Sequence, residues 1–151
     1  MIHFDGWPEI LRNFAQVLIA YVLTMIVGWD RERESHSAGI RTFPIVGMAS
    51  CGYLLILGVH PNSADQSRVL QGMITGIGFV GGGAILKDGI TVRGTATAAS
   101  VWNAGVIGAA VALEHYGIAV SLAVLNVITL RLLLPLKKRL DAKDGIGDRV
   151  L

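Results

Sequence analysis

The chain has 151 residues, of which 52% are hydrophobic and only 16% charged, with 19 glycines and a mean hydropathy of +0.57, whereas a soluble domain carries about 25% charged residues. The net charge of +2 is too small for an electrostatic nucleic-acid interface, and no basic–aromatic stripe occurs, so nucleic acid is excluded as a partner. A single cysteine, Cys51, excludes an internal disulfide framework and a Cys-rich metal site, and reads as a small buried hydrophobe.

In chain order, Trp7 suits a membrane–water interface and Pro8 the first turn of a helix. The opening has neither a basic n-region nor a small-residue cleavage site, so no cleaved signal peptide is expected. Residues 13–29 carry no charge, and with residues 9–12 they reach the roughly 20 residues that span about 30 Å of hydrocarbon. A polar connection over residues 30–41 follows. The second span covers residues 42–59, with Pro44 tolerated in its first turn and His60-Pro61-Asn62 as the breaker. A polar link, residues 63–68, leads to span three at residues 69–86. After a polar turn from Lys87-Asp88-Gly89 to Arg93 comes span four, residues 94–113, closed by Glu114-His115-Tyr116. Span five covers residues 117–136, with Arg131 snorkelling toward the nearer surface and Lys137-Lys138-Arg139 as the stop. Residues 1–140 thus read as one all-α domain of five transmembrane helices, and residues 141–151 as a short, loosely ordered cytoplasmic tail.

Span three concentrates glycine: Gly72, Gly76, Gly78, Gly81, Gly82 and Gly83. In water each would cost a helix about 0.5–1 kcal/mol relative to alanine. In a bilayer the same residues let helix backbones approach, and Gly72/Gly76 and Gly78/Gly82 have the small-xxx-small spacing. Span three is therefore expected at the packing centre, with self-association into a homo-oligomer. The run from Gly76 to Gly81 also matches GxGxxG, but no strand precedes it and no acidic residue follows at about 20 residues, so helix packing is the better reading.

The basic residues are uneven across the spans. Arg31, Arg33, Arg41, Lys87, Arg93, Lys137, Lys138, Arg139, Lys143 and Arg149 fall on one side, with Arg131 leaning toward it, against Arg12 and Arg68 on the other. Cytoplasmic loops collect Lys and Arg, which places the N-terminus outside and the C-terminus inside.

Two blocks, GWDRERESHSAGIRT and GIGFVGGGAILKDGITVRGTATAASVW, resemble the signature of the MgtC/SapB family of bacterial inner-membrane proteins. The likeness covers roughly residues 10–140. The family's acidic–Arg pair after span one corresponds to Asp30-Arg31, with Asp in place of the more usual Glu, and its AGLRT to Ala38 through Thr42. Its glycine block corresponds to Gly76, Gly78, Phe79, Gly81 and Gly83, and its VRG-x-x-TAA-x-x-W to Val92 through Trp102. Longer members add a soluble C-terminal domain related to ACT-type ligand domains, and this chain reads as the short form. Ala96 stands where the best-known member has Asn. The resemblance implies a multi-pass protein of the bacterial inner membrane, with a role in adaptation to low magnesium and in survival inside host cells, hence virulence. It also implies a partner, the proton-translocating F-type ATP synthase, which the best-known member restrains rather than carrying magnesium itself.

The residues add their own evidence. Asp30, Arg31, Arg41, Lys87, Asp88 and Arg93 border the hydrocarbon at the basic end, where ionisable groups are paired or functional. Asp30 is expected to pair with Arg41 or Arg93 and tie helix ends together, whereas Glu32, Arg33 and Glu34 read as solvated loop charges. Magnesium favours carboxylate and water oxygens; Arg31, Arg33 and Arg41 alternate with Asp30, Glu32 and Glu34 and neutralise any such site, so neither a metal site nor a cofactor is expected. Polar groups inside the bilayer are mild: Thr97, Trp102, Asn103 and Asn126, with Ser50, Thr75, Ser100, Ser121 and Thr129. Asn103 and Asn126 are expected in contact between adjacent spans. No acidic residue lies mid-membrane to serve as a stepping stone for ions. The histidines, His3, His36, His60 and His115, are scattered, and no hydrolase, metalloprotease or nucleotide motif occurs, so no enzyme is expected. The leading expectation is a non-enzymatic modulator of another membrane complex in the lipid bilayer. The alternative is a transporter or channel for Mg²⁺ or a small solute.

Overall fold

The computed structural model describes residues 6–32, 38–58, 63–89 and 91–143. Five helices follow one another: α1 (Trp7–Glu32), α2 (Thr42–Ile56), α3 (Ser63–Gly83), α4 (Thr95–Ala112) and α5 (Tyr116–Lys143). Between α3 and α4 lies a two-stranded antiparallel ribbon, β1 (Leu86–Asp88) and β2 (Thr91–Arg93), with Leu86 opposite Arg93 and Lys87 opposite Val92. The segment expected as a plain polar turn is therefore a β-ribbon. It folds back through Gly94 at φ +84°, where an added Cβ would collide with the carbonyl oxygen of Ala84. Only glycine supplies both the left-handed backbone and the space.

Several boundaries differ from the sequence reading. Asp30, Arg31 and Glu32 belong to α1 rather than to a connection, and the polar residues 63–68 open α3 as helix. The basic run at Lys137 does not stop α5, which continues to Lys143 past the proposed domain limit at 140. The expected breaker at His60-Pro61-Asn62, the loop residues Arg33, Glu34 and His36, and the tail beyond Lys143 lie outside the described residues.

Burial along α1 shows what solvent the fold is built for. Gln16, Ala20, Thr24, Val27, Gly28 and Arg31 recur at helical spacing and face inward. Trp7, Leu11, Phe14, Leu18, Val22, Ile26 and Trp29 face outward. Small and polar side chains are inside and large apolar ones outside, the reverse of a helix in water. The same inversion holds on α5, where Ala119 and Ala123 are buried while Val120, Val124, Leu125, Ile128, Leu132 and Leu133 are exposed. Lipid satisfies such a surface and water does not.

Among the described residues, three helices are long and apolar enough to cross a membrane: Trp7–Glu32, Thr95–Ala112 and Tyr116–Leu136, with Thr42–Ile56 as a shorter apolar helix. Length and composition thus support three of the five expected spans.

Helix α4, not α3, occupies the packing centre: it touches all four of the other helices. Its inner face carries Ser100, Val101, Ala104, Gly105, Ile107, Gly108 and Val111. At the α2–α4 crossing, a Cβ on Gly108 would overlap the carbonyl oxygen of Gly47 and lie 3.0 Å from the Ser50 Cβ. At the α1–α2 crossing, a Cβ on Gly47 would lie 2.6 Å from the Thr24 hydroxyl oxygen. Thr24 occupies that space with its own hydroxyl turned back to the Ala20 carbonyl at 2.6 Å. These contacts are the close backbone approaches that small residues permit in a bilayer.

Candidate functional site

The charged end of the bundle is organised by Asp30, whose side chain is only 8% exposed although it sits in the last turn of α1. Its Oδ1 accepts a hydrogen bond from Nε of Arg131 on α5 at 2.7 Å. Its Oδ2 lies 3.5 Å from an Nη2 of the adjacent, buried Arg31. The expected pairing of Asp30 with Arg41 or Arg93 is therefore corrected: the partners are Arg131 and Arg31. Arg41 stands exposed before α2 with no side-chain capping bond, and Arg93 is exposed on β2. The physical reason is the path of α5, which returns along α1 and brings Arg131 beside Asp30. Pro135, one turn further, has no N–H to offer the Arg131 carbonyl, a local weak point in α5.

This arrangement ties the two ends of the chain together. A buried carboxylate left without its cations costs several kcal/mol, so Asp30 requires the partners it has. Arg131 remains 62% exposed, which leaves its outer nitrogens available at the surface while Nε is held. Glu32, the next acidic residue, accepts the Ile40 N–H at 3.1 Å, so it orders the entry to α2 as well as carrying a surface charge. Gly39 packs against Glu32, whose carboxylate would have to move aside for a Cβ. Lys87 is exposed on β1, and Asp88 pairs in the ribbon through its backbone. Six residues grouped by sequence thus divide: Asp30 and Arg31 are buried together and joined by Arg131; Arg41, Lys87 and Arg93 are exposed cations; and Asp88 belongs to the ribbon. Among the described residues no group of three or more His, Cys, Asp or Glu side chains gathers in a metal-binding arrangement.

The glycines of α3 divide in the same way. Gly81 sits against α4, where a Cβ would lie 3.1 Å from the Ala98 carbonyl oxygen. Around Gly72, Gly76, Gly78, Gly82 and Gly83 a Cβ would meet nothing within 4 Å. These five do not pack the fold to which they belong. Phe79, on the same helix, is 86% exposed. Between α2 and α3 runs an apolar groove of about 560 Å³ whose lining includes Val46, Tyr53, Gly72, Met73 and Gly76.

The intramembrane polar residues bridge α4 to α5, though not as a pair of asparagines. Ser100 donates to the Asn126 side-chain oxygen at 3.0 Å, and Asn103 donates to the Leu122 carbonyl at 3.3 Å. Thr97 is fully buried in the first turn of α4, next to Ala96, which is exposed, and Trp102 is partly exposed on the outer side. Sequence reasoning missed Gln16, buried in α1, whose Nε2 donates to the Val111 carbonyl at 3.4 Å across to α4. Its spacing from Ala20 and Thr24 on one helical face was the available signal.

An apolar exterior, an interior of small residues and a buried, ion-paired aspartate at one end define an integral membrane protein built on a helix bundle. The chain belongs to the MgtC family, whose model matches residues 17–139. It is similar to "Protein MgtC" of Brucella abortus, 29% identical over 102 residues, 68% of this chain and 43% of that one. It is also similar to the "Putative magnesium transporter YhiD" of Escherichia coli, 27% identical over 137 residues, 85% of this chain and 64% of that one. An uncharacterised protein of Synechocystis is 30% identical over 102 residues, 68% of this chain and 42% of its own. The chain thus spans between 42% and 64% of the length of these relatives. No solved structure matches it significantly.

Proposed function

We propose that this protein is a non-enzymatic modulator in the bacterial inner membrane that acts in magnesium adaptation by docking against another membrane complex. The reading has all five helices crossing the bilayer, N-terminus out and C-terminus in, because that arrangement collects the basic residues on the cytoplasmic side. The observation that carries it is the open glycine face of α3. Gly28, Gly47 and Gly108, at the α1–α2 and α2–α4 crossings, are met by their neighbours, whereas Gly72, Gly76, Gly78, Gly82 and Gly83 on α3 have space above them. Small residues of this kind let a partner helix approach closely. The F-type ATP synthase is the partner the family resemblance favours, with a second copy of the chain as a competing occupant and virulence as the setting.

The test is a photo-crosslinking amino acid placed at Gly76 in cells grown at low Mg²⁺. Crosslinks to a membrane subunit of the ATP synthase, lost in Gly72→Leu, support the proposal. Crosslinks to the chain itself assign the face to a homo-oligomer. A second reading, transport of Mg²⁺ or a small solute, is favoured by the name of the Escherichia coli relative. Mg²⁺ flux in proteoliposomes, without any crosslinked partner, would replace the modulator reading with that one.

A further inference from the structure

Trp29, Asp30 and Arg131 set the depth at which the charged end of the bundle meets the bilayer. Trp29 is 53% exposed on the outer face of α1, and tryptophan in such a place settles at the headgroup level. Asp30 is the next residue, and Nε of Arg131 on α5 meets it at 2.7 Å. The guanidinium of Arg131 therefore lies at the level of the lipid phosphates, on the outside of the seam between α1 and α5.

That guanidinium is also aimed. Asp30 takes Nε alone and is itself buried, so it holds its partner in one place. Nη1 and Nη2 of Arg131 donate to nothing among the described residues, and the side chain is mostly exposed. Two parallel N–H groups on one edge match two oxygens of a phosphate. Fixing Nε in advance lowers the side-chain ordering that binding would otherwise require.

Toward the hydrocarbon the flank is apolar. Val124 and Ile128 precede Arg131 on the same face of α5, at helical spacing, and both are exposed. Ile26, one turn before Asp30 on α1, is exposed as well. Helices α1 and α5 pack against each other, so an acyl chain can follow this flank while its headgroup stays at Arg131. Free phosphate would use none of these apolar side chains.

We propose that the α1–α5 flank binds one anionic phospholipid. Its phosphate is gripped by Nη1 and Nη2 of Arg131, and an acyl chain lies along Val124, Ile128 and Ile26. Basic sites between transmembrane helices hold anionic headgroups in this way. A zwitterionic lipid fits less well, because its ammonium group finds Asp30 buried and already engaged. Beyond Arg131, α5 adds Lys137, Lys138 and Arg139 to the positive charge of this end. The site uses helices other than α3, so this proposal and the docking proposal fail independently.

The test is native mass spectrometry of the whole chain in mild detergent, with phosphatidylglycerol and phosphatidylethanolamine as separate probes. Phosphatidylglycerol is expected to be retained in preference, and about five-fold more weakly in Arg131→Gln, the worth of one basic residue near anionic lipid. Arg41→Gln, at an exposed cation of the same end, is expected to leave retention unchanged. In vesicles, phosphatidylglycerol with a photoreactive group on its acyl chain should label the native protein around Val124, Ile128 and Ile26, a map that stands even where Arg131→Gln fails to fold. Equal retention of the two lipids, equal weakening by Arg41→Gln, or label spread evenly over the helices would each overturn the proposal. Displacement of the lipid by inorganic phosphate would assign Arg131 to a free anion and overturn it too.

Discussion

Alanine at Gly108 and alanine at Gly76 should have opposite effects on the stability of the bundle, although both replace a glycine inside an apolar helix. At Gly108 the new Cβ would overlap the Gly47 carbonyl oxygen and lie 3.0 Å from both the Gly47 carbonyl carbon and the Ser50 Cβ. Two of those three atoms are backbone, which cannot rotate away, so α2 and α4 must separate. Overpacking of this kind costs about 1–3 kcal/mol, and a backbone obstacle places Gly108→Ala near the top of that range, about a hundred-fold in the folding equilibrium. At Gly76 nothing lies within 4 Å, so only the helix-propensity gain of about 0.5–1 kcal/mol remains. Equilibrium unfolding in mixed micelles, followed by far-UV circular dichroism, measures both. A Gly108→Ala variant as stable as the native protein would refute the packing account, as would a Gly76→Ala variant destabilised as strongly as Gly108→Ala in monomeric protein.

Six further outcomes are expected. Asp30→Asn should destabilise the bundle by about 3 kcal/mol, since it removes the buried carboxylate that Arg131 and Arg31 both face. Arg131→Gln should cost about 2 kcal/mol, because the buried Asp30 carboxylate loses its 2.7 Å bond but still faces Arg31. A double-mutant cycle in micelles should find coupling of Asp30 with Arg131 and none with Arg41. Ser100→Ala removes a bond to Asn126 and should cost about 0.6 kcal/mol, the average for polar contacts in membranes, read from the same unfolding curves. Glu114→Gly should raise the thermal midpoint by relieving the left-handed backbone, a gain of about 1 kcal/mol. Gly94→Ala should lower expression and folded yield, because its Cβ collides with the Ala84 carbonyl at φ +84°.

The solvent of this protein was legible from its sequence, along with the approximate position of each helix. Long apolar segments separated by charged or turn-forming residues specify helices in lipid wherever they fold, since an unsatisfied backbone in hydrocarbon is too costly for another choice. Thr42 as the start of α2, and Glu114–Tyr116 as the turn after α4, follow from local composition and match the structure closely. Asp30 was also nameable, because an aspartate at a membrane boundary is costly in any fold.

Which partner Asp30 takes was decided only by tertiary structure. Arg41 and Arg93 are nearer in sequence, but α5 runs back along α1 and delivers Arg131. Tertiary structure likewise decided which glycines pack. The crowded set on α3 drew attention by density, yet of these only Gly81 meets a neighbouring helix, while Gly28, Gly47, Gly105 and Gly108, spread over α1, α2 and α4, also sit at close approaches. A glycine's spacing shows that close approach is permitted on one face of its helix. Whether a neighbour stands on that face depends on the crossing of two helices distant in sequence, and no local pattern encodes that crossing.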